Sequence, residues 1–340
     1  MSTITKTFSS NLSAEHLRPF DVNRDLTQVA DLVEQCFLDT LDQEGQRYLQ
    51  QMRSAARNPA YLRWASMVAE KTAMPLSGYV WEEAGRIVGN LTLIPHIFQG
   101  KRLYLIANVA VHPEFRRRGI GVQMTQMAIQ HARQRGADAV WLHVRAENQA
   151  AIDLYRSLGF VEKARRTTWQ LERRTLKGTY PDAEAFLNEK NTSSIRFVPR
   201  RAADWPLQRS WMRQAYPAEI SWHLSLRKLA LQPGFLGFIY RTVNGLWVRH
   251  WSAFQGRRLL AVLSWQPAPS YADCLWLAAS PQAEEGVITA LLLHARRLLS
   301  TRRPLSLDYP AGYAERAISQ AGFQPHQTLI WMFINPRDKI

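Results

Sequence analysis

Hydrophobic residues change rhythm several times along the chain, and each change marks an element. From Leu105 to Val111 nearly every position is apolar (LIANVAV), a short run with β-branched residues that predicts a buried strand. His112-Pro113 ends it, because proline cannot donate to a ladder. Val122, Met124, Met127, Ala128 and Ala132 then fall at helical spacing, which predicts a one-faced helix closed by Gly136. Ala139–Val144 reads as another apolar strand. Asn148 precedes a further helix, which carries Ala151 and Tyr155 and closes with Leu158-Gly159-Phe160. Upstream, His16–Phe20 predicts a first strand, and Asn23 the cap of a helix with Leu26, Val29, Ala30, Val33 and Phe37 inward. A second helix is expected at about Asp42–Ala56. Gly78–Glu82 and Arg86–Pro95 form a hairpin turning at Glu83-Ala84-Gly85. After Phe160, alternation as far as Leu171 predicts a closing strand or pair.

The pattern repeats. Leu291–Arg297 (LLLHARR) echoes Ala128–Gln134 (AIQHARQ), with His294 opposite His131. Gln320-Ala-Gly322-Phe323 echoes Ser157-Leu-Gly159-Phe160, and Trp331 stands much where Trp169 does. Asp273–Pro281 resembles the strand Leu105–Pro113. Between the copies, composition turns polar and charged around Pro181 and Asn191. The expected organisation is therefore a first domain over residues 1–175, a linker over 176–193 and a diverged second copy over 194–340.

Chemistry concentrates between the strand and the helix of the first copy. Arg116-Arg117-Arg118-Gly119-Ile120-Gly121 opens the helix, whose first amides have no intrahelical partner and lie at the positive end of the dipole. Glycines admit a ligand to the backbone and arginines add fixed charge, so the guest is a phosphate or pyrophosphate. Neither the dinucleotide GxGxxG pattern nor the Walker Gly-Lys-Ser/Thr pattern is present.

Arg116-x-x-Gly119-x-Gly121 after Val-His-Pro, followed by Asn148, Ala151, Tyr155 and Gly159-Phe160, resembles the GCN5-related N-acetyltransferase (GNAT) family over roughly residues 16–172. The resemblance implies an α/β (α+β) chain of two tandem acyl-CoA N-acyltransferase folds, each a mixed, mostly antiparallel sheet flanked by helices. It implies acetyl-CoA as co-substrate, a primary amine as acceptor and direct transfer in a ternary complex, with no metal. Backbone groups of Val109, Ala110 and Val111 would pair with the pantetheine arm as if with a strand. Arg116, Arg117, Arg118, Gly119, Ile120, Gly121 and Val122 would hold the pyrophosphate, and Asn148, Ala151 and Tyr155 the tail. Tyr155 would be the general acid that protonates the departing thiolate. The central strand carries Ala107-Asn108 where relatives often have a glutamate, so the base is open among Asn108, Glu82, Glu83, His96, His112 and His143. Phe37, Asp39, Asp42 and Tyr48 would face the acceptor.

The second copy departs from the pattern where that chemistry would occur. Glu284-Glu285 replace the arginines in a loop one residue shorter, Ala311 stands in register with Asn148, and Ile318 with Tyr155. Carboxylates beside a pyrophosphate repel it by about a kcal/mol or more for each pair. The second copy is therefore expected to be non-catalytic, shaping acceptor access or an interface. Its tryptophans at 205, 211, 222, 247, 251, 265 and 276 are expected to serve mainly as core.

The 340 residues carry a net charge of +15, split evenly as +7 up to residue 180 and +8 beyond it, which disfavours a dedicated nucleic-acid footprint. No apolar run reaches the roughly 20 residues of a membrane span, so no membrane partner is expected. Cys36 and Cys274 are solitary and the N-terminus lacks an apolar signal core, which together favour the cytoplasm. A homodimer is left open. Two rival readings stand beside the enzyme: a non-catalytic acyl-CoA sensor, and a nucleic-acid-binding protein.

Overall fold

The structure, a computed structural model, describes residues 16–68, 72, 74–172, 186, 195–268, 271–299 and 303–338. Apart from Phe186, the expected linker lies outside the described residues. The first half runs β1 (Leu17–Pro19), α1 (Val22–Phe37), α2 (Gln43–Ala56), α3 (Pro59–Val68), β2 (Gly78–Glu83) and β3 (Arg86–Phe98). It continues with β4 (Lys101–Val111), α4 (Ile120–Gln134), β5 (Ala139–Arg145), α5 (Gln149–Ser157) and β6 (Val161–Leu171). The second half holds β7 (Ile195–Pro199), α6 (Trp205–Ala215), α7 (Ala218–Ser221), α8 (Lys228–Leu231) and α9 (Gly234–Val243). Then come β8 (Arg249–Gln255), β9 (Arg258–Gln266), β10 (Asp273–Ala279), α10 (Glu285–Leu298), β11 (Leu305–Pro310), α11 (Glu315–Gln320) and β12 (Gln324–Ile334).

Local signals account for most boundaries. Asp21 caps α1, accepting from the Asn23 amide at 2.9 Å, so the expected cap at Asn23 is corrected by two residues. An aspartate there also places its charge on the positive end of the helix dipole, which an asparagine cannot do. Asp42 caps α2 through Gly45 N at 2.7 Å. The sequence reading passed over α3, although Asn58-Pro59 marks it: the Asn58 side chain accepts from Ala60 and Tyr61 amides, and proline suits the first helical position. The β2–β3 hairpin turns through Ala84 and Gly85, both at positive φ.

The chain divides into two compact units, one of Met1–Lys163 with Ile330–Ile340, the other of Ala164–Leu329. The first has strand order β1-β2-β3-β4-β5-β12, antiparallel from β1 to β4 and parallel between β4 and β5. The second has order β6-β11-β10-β9-β8-β7, with β10 and β11 its parallel pair. Each is a mixed, mostly antiparallel sheet with helices, and β10, α10, β11 and α11 repeat β4, α4, β5 and α5. Trp211, Trp251 and Trp276 lie in the second core, as expected, whereas Trp247 is exposed.

The final strands do not follow the sequence boundaries at 175 and 194. Ile330, Met332 and Ile334 of β12 lie in the first core, with the Trp331 ring against His143 at 4.0 Å, tilted by 37°. Trp169 and Leu171 of β6 lie in the second, where β6 pairs antiparallel with β11 from Leu171↔Leu305 to Arg166↔Pro310. Strands β6 and β12 each follow a Gly-Phe and share one alternation, so the pattern specifies a strand without specifying its neighbours.

A chain cut at residue 175 should therefore fail to fold. It loses three fully buried side chains worth about 1.5–3 kcal/mol each, against a typical domain stability of about 5–15 kcal/mol. Restoring residues 324–340 as a separate peptide should recover a cooperative melt, measurable by circular dichroism.

Candidate active site

The first unit's parallel pair is short. β4 and β5 are in register only over Leu103–Ile106 and Ala139–Leu142. Just beyond, β4 bulges: Asn90 faces Ala110 and Thr92 faces Ala107, leaving one extra residue on β4, and Asn108 takes φ 50°. Three side chains hold this turn of the backbone. Asn90 Nδ2 donates to the Asn108 carbonyl at 2.8 Å, and Asn108 Nδ2 donates to Tyr48 Oη at 3.1 Å and Thr92 Oγ1 at 3.4 Å. Past Ile106 no described ladder joins β4 to β5, so the β5 side of Val109, Ala110 and Val111 is open to an extended ligand. The Val111 carbonyl is the exception, since Arg116 Nε and Cys36 Sγ donate to it at 3.1 and 3.3 Å.

The loop that follows leads into the start of α4. His112 is buried and accepts from Arg86 Nη2 at 2.8 Å, and a 3-10 turn spans Pro113–Phe115. Arg117 (φ 66°) and Gly119 (φ 80°) are both left-handed, and Gly119 caps α4. The first intrahelical bond runs from Gln123 N to Gly119 O, so Ile120, Gly121 and Val122 have amides without helical partners, and no acid occupies the first turn. A Cβ on Gly119 would meet nothing nearer than Gln123 Nε2 at 3.7 Å, which leaves that space to a ligand. One on Gly121 would come within 3.3 Å of Leu154, so glycine there lets α5 approach. The arginines divide their work, which the sequence did not show. Arg116 braces Val111, Arg118 donates to the Glu114 carbonyl at 3.1 Å and lies 4.7 Å over Phe115, and Arg117 is exposed.

Asn148 caps α5, its side chain accepting from Ala151 N at 3.1 Å. Seven residues on, Tyr155 is buried with Phe160 edge-on at 5.8 Å. Burial raises its phenol above the ordinary range, so it stays protonated through neutral pH.

The carboxylate and imidazole candidates are mostly engaged elsewhere. Glu82 Oε2 accepts from Arg18 Nε at 2.7 Å and Arg24 Nη2 at 2.6 Å. Arg18 also grips the buried Asp25 with both terminal nitrogens, which ties β1, α1 and β2 together. Glu83 accepts from Trp81 Nε1 at 3.1 Å. His96 is half-buried and held neutral by desolvation, and His143 lies against Trp331. Among the residues expected on the acceptor side, Asp42 is spent as a cap, Asp39 is exposed, and Phe37 packs on a small core. Tyr48, whose phenol is raised by burial, is the one joined to Asn108.

In the second unit the equivalent break is filled. β10 and β11 pair over Asp273–Leu275 and Leu305–Leu307 only, and two residues later Leu277 N donates to Tyr216 Oη at 3.1 Å. The Tyr216 ring is fully buried, edge-on to Trp276 at 5.3 Å, with the Arg166 guanidinium 5.1 Å above it. Arg166 is held by Asp308 and by the Ala215 carbonyl. A cavity of about 440 Å³ remains beside the helix start, walled by Trp211, Tyr309, Tyr313 and Glu285 and by no arginine or lysine.

The profile of the acetyltransferase (GNAT) family matches residues 27–160, the segment that contains the open ladder, the amide loop and Tyr155. Residues 27–160 belong to the GNAT family. A [ribosomal protein bS18]-alanine N-acetyltransferase from Salmonella typhimurium is 51% identical over 55 residues, 16% of this chain and 37% of that protein. A mycothiol acetyltransferase from Saccharomonospora viridis is 37% identical over 81 residues, 22% of this chain and 26% of that protein. The chain thus matches between about a quarter and little more than a third of the length of these relatives. A GCN5-related N-acetyltransferase structure from Sphaerobacter thermophilus covers 96% of this chain and 98% of its own, with TM-score 0.55 and 14% identity. That likeness shows the GNAT fold, and its coverage includes the second half. Two tandem GNAT folds make up the chain.

The Arg18–Asp25 pair gives a stability test of this GNAT scaffold. Burial alone would raise the Asp25 carboxyl, but Arg18, the Asp21 amide and Arg24 outweigh it and lower the pKa. A lowered folded-state value stabilises above the unfolded pKa of about 3.9 and is lost as pH falls through the folded value. Arg18→Ala should cost about 3–5 kcal/mol at neutral pH by stranding a buried charge. The loss should shrink below about pH 4, where the stranded carboxyl protonates. Urea melts at two pH values check both.

Proposed function

We propose that the first unit transfers an acetyl group from acetyl-CoA to a primary amine, directly in a ternary complex. The observation that carries this is the open β4 edge lying between a loop of unpaired amides and a buried, protonated phenol. The pantetheine arm pairs with Val109–Val111 as an added strand. The pyrophosphate sits on Ile120, Gly121 and Val122 N–H, in the field of Arg116, Arg117 and Arg118. The amine nitrogen then attacks the thioester carbonyl, the C–S bond breaks, Tyr155 Oη gives its proton to the departing sulfur, and the proton shed by the acetylated nitrogen passes to solvent, from which the phenolate regains one. Holding the reactants together supplies most of the advantage.

Asn108 and Tyr48 stand where the acceptor would approach and can hydrogen-bond an amine. Neither is a base at neutral pH, and Glu82 is committed to two arginines, so this reading has the acceptor attack as its neutral amine. The names of the relatives point to an alanine of ribosomal protein bS18 and to mycothiol, so a protein amine and a small-molecule amine both belong in the acceptor panel. Among the described residues the side-chain partners of Asn108 are Tyr48, Thr92 and Asn90 and include no carboxylate, which favours a second reading, an acyl-CoA sensor without turnover.

Tyr155→Phe separates the two. It keeps the ring against Phe160 and removes the proton donor, so acetyl-CoA affinity should stay within a fewfold. Release of free CoA with an amine panel should fall by at least about tenfold, since general acids typically contribute about a hundred- to ten-thousandfold. No turnover in either form, with binding intact, supports the sensor.

The second unit is the non-catalytic copy: Tyr216 takes the amide a pantetheine would use, and Glu285 stands where phosphate would lie. Calorimetry with acetyl-CoA should give one site per chain. Binding at a hundredfold excess over Kd should raise stability by roughly 2.7 kcal/mol. Gly119→Glu should abolish both signals, and two equivalent sites would overturn the assignment.

A further inference from the structure

The second unit carries an apolar helix face turned outward. On α9, Phe235, Leu236, Phe238, Ile239 and Val243 fall within about half the helix circumference at 100° per residue, and all are exposed, Phe235 at 74% and Val243 at 78%. Trp247, just beyond the helix, is exposed at 78%. The helix is not simply loose. Its opposite face is seated, because a Cβ on Gly237 would lie 1.9 Å from the Gln232 carbonyl oxygen. Arg241 Nη1 fastens the same side, donating to the Ala230 and Gln232 carbonyls, both at 3.0 Å. At roughly 200 Å² per aromatic side chain, Phe235, Phe238 and Trp247 alone expose on the order of 400 Å², before the aliphatic residues are added. Soluble monomers rarely leave a larger patch without a partner.

Charge selects the partner. From Ile220 to Ala272 there is no Asp or Glu, while Arg227, Lys228, Arg241, Arg249, Arg257 and Arg258 are present. Arg227 caps α8 and Lys228 begins it, α8 packs beside α9, and Arg249 follows Trp247 by two residues. A second copy pairing through the same face would bring basic flank against basic flank, which disfavours an isologous dimer. A convex apolar ridge with cations and a tryptophan at its margin suits a fluid, negatively charged surface that supplies both apolar depth and counter-charge. No helix among the described residues is long and apolar enough to cross a membrane, so the contact would be interfacial.

We propose that α9 and Trp247 seat the second unit on an anionic lipid bilayer. This inference stands apart from the acetyl-transfer reading, and its test does not use activity. The full chain is sedimented with vesicles of phosphatidylcholine alone or doped with phosphatidylglycerol. Binding is expected to the doped vesicles, weakened at least about tenfold when salt rises from about 0.1 to about 1 M and the Debye length falls from about 10 to about 3 Å. Phe235→Ser with Trp247→Ser, or Val243→Asp alone, should lose binding by about tenfold or more while keeping the wild-type melt, since these side chains face solvent. Binding that is equal on both vesicle types, or unchanged in the variants, would overturn the proposal. So would no vesicle binding together with dimerisation that the same variants abolish.

Discussion

A parallel strand pair that stops after four residues is the constraint on which this fold turns. In a continuous ladder the amides of β4 would be spent on β5, and no ligand could pair with them. The bulge at Asn108 redirects the strand, and its left-handed backbone costs on the order of 1–3 kcal/mol unless neighbours over-determine it. Asn90, Thr92 and Tyr48 do that here. Close packing supports the same region from the other side: Gly89 lies where a Cβ would be 2.9 Å from both Met124 Sδ and Trp81 Cβ. With α4 held that close to β3, the amino end of α4 and the β4 break share one frame.

The second copy shows what such a break requires when no ligand fills it. An unpaired buried amide costs about 1–3 kcal/mol, so Leu277 N needs an acceptor, and Tyr216 Oη supplies one. The tyrosine then has to be held, and Arg166 with Asp308 forms a buried brace above its ring. That pair is poor evidence of extra stability, since burial raises the Asp308 carboxyl even against the neighbouring guanidinium. Its use is positional: it fixes an aromatic plug where the first copy keeps a slot. Glu284-Glu285 stands at the start of α10, where acids favour the helix dipole.

What the sequence made legible was local. The glycine loop before α4, the hairpin at Ala84-Gly85 and the start of α5 after Asn148 each depend on residues within a turn of one another, and all are found where spacing put them. The strand exchange was not legible, because alternation in β6 and β12 states that a strand exists and says nothing of its neighbour. Tyr48 meeting Asn108, 60 positions apart, and Tyr216 meeting Leu277, 61 apart, are likewise contacts of topology. Glu82 was misleading for a related reason: a carboxylate at the end of a strand near the centre looks available until Arg18 and Arg24 arrive from β1 and α1. In sequence the three arginines of the loop read alike; in the structure Arg116 and Arg118 donate to the Val111 and Glu114 carbonyls.

The same accounting explains where the positive charge goes. Asp25, Glu82, Asp204, Asp273 and Asp308 are all spent on interior or half-buried partners, each neutralising an arginine or accepting from the backbone. Acids used this way cannot offset the surface, so a chain with 43 Lys and Arg against 28 Asp and Glu leaves its excess outside. At the amide loop the local acid is Glu114, which faces His112 and not the helix start. Bracing Arg116 and Arg118 against carbonyls leaves their charge uncancelled, because a carbonyl carries none. The loop therefore gains rigidity without losing field, a combination that a salt bridge at the same place would have destroyed.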